Sequence, residues 1–234
     1  MSLLIRASLV FVQAVCNHLA CTPPNKTPSK GRYHTQEAYV LQIAPLIFKI
    51  HTTLLWLSAA FEAVSVVNHY SGASLSPALS AHVDAAICPA TRSQNVLTPI
   101  FVLGVILSAL GMFIRVRCFQ ELGQLFTFDL TILPEHKLVT SGFYQYVRHP
   151  SYTGSLLLIM GLTLSHLTPG SWAMECGVLG PVSSGLIWAS WWIWSLAVST
   201  SRAVAEDAEL RKLFGSQWDT YAAQVNSWFV PGLL

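Results

Sequence analysis

The sequence predicts an all-α, polytopic integral membrane protein with about five transmembrane helices, and three observations carry that reading. Of 234 residues, 53% are hydrophobic and only 10% charged, where soluble chains average roughly 25% charged. Apolar runs long enough to span a bilayer recur along the chain, separated by polar segments. The polar chemistry is concentrated: Thr140, Ser141, Tyr144, Arg148, His149, Ser151 and Tyr152 crowd one stretch that leads into the uncharged run Leu156–Leu164. A formal charge of +2 without a basic run argues against nucleic acid as a partner. Cys16, Cys21, Cys88, Cys118 and Cys176 are scattered and odd in number, and they predict neither a disulfide framework nor a zinc site.

The first span is expected over Leu3–Ala20, read as retained because further membrane segments follow it. Thr22–Gln36, with Lys26, Lys30 and Arg32, is a basic polar loop. The second segment, Tyr39–Val67, is longer than a span requires and carries Lys49, His51 and Glu62. Part of it should lie at the interface or line a protein interior, with Glu62 hydrogen-bonded between helices. His69–Asn95 reads as a Ser/Ala-rich loop whose basic residue is Arg92. The third span, Leu97–Ile114, places Gly104, Ser108 and Gly111 on one face for close helix packing and ends at Arg115 and Arg117. Phe119–His136 is a mixed polar and aromatic connection. The fourth and fifth spans, Ser151–Leu167 and Gly177–Ser199, form a helical hairpin about Pro169 and Gly170. Trp188, Trp191, Trp192 and Trp194 anchor the fifth at the lipid interface. Thr200–Asn226 then turns charged, an amphipathic segment at the membrane surface.

Basic residues partition unequally over a five-span chain. Lys26, Lys30, Arg32, Arg115, Arg117, Lys137, Arg148, Arg202, Arg211 and Lys212 fall on one side, against Arg92 in the other loop. The positive-inside rule then puts the polar stretch and the charged tail together in the cytosol.

Pro150 fixes its own φ and pushes His149 out of the helical region, so a helix should begin at Pro150 with His149 just outside it. Its free N–H groups, with Arg148 and His149, would make a cationic mouth suited to a carboxylate or phosphate. The tail offers a second half: Arg202 and Glu206 lie one helical turn apart and share a face.

Together these motifs resemble the isoprenylcysteine carboxyl methyltransferases. The resemblance rests on His136-Lys137-Leu138-Val139-Thr140-Ser141-Gly142, Tyr144, Arg148-His149-Pro150-Ser151-Tyr152 and Gly154, a helical hairpin, Arg202-x-x-x-Glu206, and Phe214-Gly215 before Tyr221. It covers Leu97–Leu234, and Thr22–Arg32 is similar to the loop of fungal members. It implies two regions, an N-terminal set of transmembrane helices over 1–96 and a methyltransferase core over 97–234. It also implies an enzyme of the endoplasmic reticulum membrane that transfers methyl from S-adenosyl-L-methionine to the carboxylate of a C-terminal prenylated cysteine. The resemblance assigns the cofactor to His136, Lys137, Leu138, Val139, Tyr144, His149, Pro150, Ser151, Tyr152 and Glu206. It gives Arg202 to the substrate, with Arg148 in the same catalytic motif; no metal is expected, because His149 has no second ligand at a helical spacing. The chain departs from the pattern at Glu206-Asp207-Ala208-Glu209, where a glutamate run is common, and at Trp218, where tyrosine is usual.

That chemistry suits the residue types. A carboxylate acceptor is ionised at neutral pH, so no general base is required, and alignment is what the protein must supply. A prenyl chain gains ~0.8 kcal/mol per buried carbon unit and partitions into lipid. Two alternatives stand beside this reading: a methyltransferase acting on a phospholipid amine or other small lipophilic acceptor, and a membrane protein with the same fold and no activity.

Overall fold

A computed structural model describes residues 2–26, 28, 31–33, 39–71, 76–88 and 97–233. Lys30 and Arg92, which entered the charge count, lie outside them. The described helices are α1 (Ser2–Cys21), α2 (Tyr39–Gln42), α3 (Ala44–Ser71), α4 (Pro77–Ile87), α5 (Pro99–Leu122), α6 (Pro150–His166), α7 (Trp172–Glu175), α8 (Pro181–Phe214) and α9 (Ser216–Gln224). Single 3-10 turns cover Gly123–Leu125 and Gly142–Gln145. The described β structure consists of isolated bridges, Arg32 with Thr131 and Val230 with Leu233.

Among the described residues, three helices are long and apolar enough to cross a membrane: α1, α3, and α5 with the turn that follows it. Their surfaces are inverted relative to those of a soluble protein. Leu46, Ile50, Leu54, Leu57, Phe61, Val64 and Val67 recur at helical spacing along α3 and are exposed, while Arg6, Gln13, Asn17, Glu62 and Ser108 are buried. Apolar outside and polar inside is the arrangement a hydrocarbon solvent selects. The chain is a multi-pass membrane protein.

The chain divides into two compact units. Unit 1 comprises Met1–His18, Ile50–Ala109 and Leu158–Trp192; unit 2 comprises Leu19–Lys49, Leu110–Leu157 and Ile193–Leu234.

Within unit 1 the helices pack closely through small residues. A Cβ added at Gly161 would lie 2.4 Å from the Gly104 carbonyl oxygen and 2.5 Å from the Ser108 amide nitrogen, so only glycine permits this approach of α5 and α6. Gln13 of α1 donates to Ser108 at 3.1 Å and to Ser165 at 2.8 Å, and Arg6 pairs with Glu62 at 3.0 Å with both side chains 1% exposed. Glu62 therefore bonds between helices, as expected, with an arginine from the first span.

Two expectations fail in unit 1. The Ser/Ala-rich loop contains α4, started by Ser76, whose hydroxyl accepts from the Leu79 amide, and by Pro77 at the first helical position. Asn68 at the end of α3 holds it through Asp84 at 2.7 Å. The cysteines also do more than expected, because Cys88 and Cys176 form a disulfide with their Cα atoms 4.7 Å apart. Each cysteine caps a short helix, α4 or α7, and the Trp172 indole donates to the Ile87 carbonyl at 3.0 Å, bringing the two ends together.

In unit 2, α5 continues past Ile114 to Leu122, so Arg115 lies inside the helix rather than ending it. Its guanidinium is buried but satisfied: Nε donates to the Ala20 carbonyl at 2.7 Å and Nη1 to Ser151 and Ser155, and it lies over the rings of Phe119 and Phe128. The expected fifth span and charged tail are one continuous helix, α8, because no breaker lies between Ser199 and Gly215 and the alanines and long polar residues there are good helix formers. At Gly215 φ is +53°, a conformation open to glycine, and the chain turns into α9. Ile114, Cys118 and Tyr144 form a buried cluster against which Leu122, Val139, Phe143 and Leu157 pack.

Candidate active site

The polar stretch folds as its sequence dictates. Ser141 donates to Glu121 at 2.9 Å, and Gly142, at φ +59°, turns the chain where a side chain would collide with that same carboxylate. One 3-10 turn follows, and α6 begins at Pro150. His149 stands just outside α6, its carbonyl accepting from the amides of Tyr152 at 3.0 Å and Thr153 at 3.4 Å.

The expected cationic mouth is not what forms. The tail of α8 lays two carboxylates against it. His149 Nδ1 lies 3.2 Å from Glu206, and its Nε2 lies 2.9 Å from Asp207. The Tyr152 hydroxyl donates to Glu206, and Arg148 Nε lies 3.3 Å from Asp207. Two cations thus face two anions. Burial alone would lower the His149 pKa, but its hydrogen bonds to Asp207 and Glu206 and their charges outweigh burial and raise it to about 9.

The C-terminal segment closes the same place. The amides of Arg148 and His149 donate to the carbonyls of Ser227 and Trp228, each at 3.0 Å, Thr153 donates to the Phe229 carbonyl, and the Trp228 indole donates to Asp207 at 2.9 Å. Tyr221 of α9 donates to the Tyr144 carbonyl at 2.9 Å.

Of the residues singled out in the sequence, Arg148, His149, Pro150, Tyr152 and Glu206 come together at the start of α6. The Ser151 hydroxyl and carbonyl accept from Arg115 at 3.2 Å. Tyr144 is buried in the hydrophobic cluster and Val139 packs against it. Leu138 is half-buried and Lys137 is exposed. His136 stands 6.3 Å from the Phe214 ring; burial lowers its pKa and the Glu206 charge opposes that. Arg202 donates to the Phe128 carbonyl at 2.8 Å.

Sequence reasoning passed over Asp207, Trp228 and Tyr33. Asp207 was legible only as one member of an acidic run. Trp228 stood beyond the last charged residue. Tyr33 is drawn in by the antiparallel pairing of 31–33 with 130–132; burial first, then Glu206 and Glu209 with Arg202 opposing, raise its hydroxyl pKa.

Residues 102–176 match the family model described as the isoprenylcysteine carboxyl methyltransferase (ICMT) family. The chain is 27% identical over 197 residues to protein-S-isoprenylcysteine O-methyltransferase B of Arabidopsis thaliana, covering 83% of this chain and 86% of that protein. Over these residues the chain is similar to the isoprenylcysteine carboxyl methyltransferases. A probable protein-S-isoprenylcysteine O-methyltransferase of Oryza sativa subsp. indica is 31% identical over 127 residues, 53% of this chain and 58% of the rice protein. The Schizosaccharomyces pombe protein-S-isoprenylcysteine O-methyltransferase is 30% identical over 120 residues, 50% of this chain and 44% of its own. No solved structure matches the chain.

The side chains fit a methyl-donor cofactor of the S-adenosylmethionine type. His136 Nδ1 and Trp218 Nε1 are buried without a hydrogen-bond partner among the described residues, Glu206 is 26% exposed beside a cationic histidine, and Phe214 offers an aromatic face next to His136. Donors, an acid and an aromatic surface are what an amino-acid zwitterion joined to a nucleoside requires.

Proposed function

We propose that the chain is a protein-S-isoprenylcysteine O-methyltransferase. It methylates the C-terminal carboxylate of prenylated cysteine in proteins or peptides, using S-adenosyl-L-methionine. The observation that carries this reading is the contact of His149 and Tyr152, at the start of α6, with Glu206 of α8, one helical turn from Arg202.

The cofactor supplies a methyl group already activated on a sulfonium sulfur. His149, held cationic, would receive its carboxylate and Glu206 its ammonium or ribose groups, while His136, Lys137, Leu138, Val139, Tyr144, Pro150, Ser151 and Tyr152 would shape the rest of its site. Arg202 holds the substrate carboxylate, and Arg148, tied to Asp207, keeps the motif in register. No side chain moves a proton. Catalysis is alignment of the attacking oxygen with the methyl carbon, and exclusion of water, in a place closed by the C-terminal segment. Residues 97–234 form the catalytic core, with 1–96 supplying further spans.

The same features support a location in the endoplasmic reticulum membrane with the motif facing the cytosol. Five spans, with α6 and the apolar part of α8 added to α1, α3 and α5, put the motif in the cytosol by the positive-inside rule. The motif precedes the N-terminal end of α6 and Cys176 follows its C-terminal end, so a bilayer-crossing α6 leaves the disulfide in an oxidising lumen such as that of the endoplasmic reticulum. The test is transfer of labelled methyl to N-acetyl-S-farnesylcysteine in membranes containing the protein, beside an Arg202→Ala variant and a phosphatidylethanolamine acceptor. Methylation of the cysteine derivative, lost in the variant, is expected; methylation of the amine alone would overturn the proposal.

A further inference from the structure

Glu206 and Asp207 are adjacent on α8, so their side chains leave the helix about 100° apart. Both reach His149 because its ring lies between them, one nitrogen to each. Their other contacts differ. Both oxygens of Asp207 serve protein groups: Oδ1 accepts from His149 Nε2 at 2.9 Å, while Oδ2 accepts from Trp228 Nε1 at 2.9 Å and faces Arg148 Nε at 3.3 Å. Its side chain is 13% exposed, against 26% for Glu206. Asp207 therefore joins the motif before α6, the α8 helix and the C-terminal segment, and Glu206 is the more reachable acid.

Resting on the methyltransferase reading, we propose that Asp207 is a positioning residue for the cofactor site: it holds the His149 ring and the Arg148 guanidinium from the protein side, so that Glu206 is the acid that gives up its histidine contact when the cofactor binds. The cofactor's amino-acid end carries one carboxylate and one ammonium a few ångströms apart. The His149–Glu206 pair presents the complementary charges and opens around such a zwitterion without a change in net charge. Asp207 cannot take that part, because releasing it would also break the Arg148 ion pair and the Trp228 indole bond.

The charge on His149 is the readout. The groups facing its ring are Glu206 and Asp207 from α8, Tyr152 from α6 and the ring of Phe229 from the C-terminal segment; Arg148 precedes it in the chain, and Arg148 and the Trp228 indole both meet Asp207. With both acids in place His149 stays protonated up to about pH 9. Replacing Asp207 by asparagine preserves shape and hydrogen bonding but removes one of the two charges that hold the proton.

The test is calorimetric titration of the full chain with S-adenosylhomocysteine, which carries the same zwitterion, from about pH 6 to 8.5. Wild type should vary less than about threefold; Asp207→Asn should match it near pH 6 and weaken about tenfold by pH 8 as its histidine loses charge. Asp207→Glu should restore the wild-type profile, and Trp228→Phe, which removes a different bond to the same carboxylate, should follow wild type. Glu206→Gln is the complementary arm and should bind at least about tenfold more weakly at every pH. A Glu206→Gln loss confined to high pH, or an Asp207→Asn loss equal at all pH values, would assign the roles the other way and overturn the proposal. So would a wild-type profile for Asp207→Asn. Wild-type protein that does not bind at all would overturn the methyltransferase reading itself.

Discussion

Each unit buries a group of balanced charges, and the two groups differ in access. In unit 1 Arg6 and Glu62 form a sealed pair, each side chain 1% exposed, with the guanidinium 4.5 Å from the centre of the Phe101 ring. In unit 2 Arg148, His149, Glu206 and Asp207 form a graded group, from 3% exposure at His149 to 26% at Glu206. Removing charge from water costs several kcal/mol per ion in either place. A sealed pair can only fix which helices meet; a graded group keeps one acid available to a ligand. Burial of charge by itself is thus a poor signal of function, and the partly open member is the informative one.

The largest effect should come from breaking the sealed pair on one side. Arg6→Met removes the guanidinium that pairs with buried Glu62 at 3.0 Å and should cost about 3–5 kcal/mol, read as thermal unfolding in detergent. The double variant Arg6→Met, Glu62→Leu should recover most of that, with cofactor binding intact in both. In the graded group the effect should appear in activity: Arg202→Ala should lower kcat/KM for the prenylcysteine about a hundredfold or more, while the affinity for S-adenosylhomocysteine stays within about threefold. Removing the unit 1 disulfide by Cys88→Ser should cost about 2–4 kcal/mol of stability, with no change in cofactor affinity.

A pH scan sharpens the contrast. The His149 pKa is raised to about 9 in the folded chain, above its ordinary ~6.5. Its stabilisation is therefore complete below pH ~6.5 and lost as pH rises through about 9. The melting temperature of wild type should fall across that window more steeply than that of His149→Gln. The smallest effect should be Ser76→Ala, about 1 kcal/mol for the lost cap of α4.

The sequence disclosed most where one local rule dominates. Pro150 set the start of α6, and Gly104 and Ser108 marked a close-packed face, because proline geometry and missing side chains act within a few residues. It disclosed least where partners are distant. The Cys88–Cys176 disulfide spans a separation of 88 residues, and Glu62 showed no sign that its partner would be Arg6. Arg115 looked like the end of a span because composition cannot reveal the carbonyls and hydroxyls that would receive it. α4 was a different kind of miss: Ser76-Pro77 is a readable helix start, hidden by the small residues around it. At the candidate site both acids were visible, but which would be tied down and which left open depended on Trp228, a residue outside every motif.

The segment Ser227–Phe229 has one more consequence. It leaves the ribosome after the motif it closes, and until it does, the backbone amides of Arg148 and His149 and one side of Asp207 lack the partners it supplies. The motif is synthesised well before the segment that seals it. The site is completed only once this segment has been made, after α1 to α9 in the order of synthesis, so a stop codon just ahead of Ser227 would spare every described helix and still remove the groups that close it.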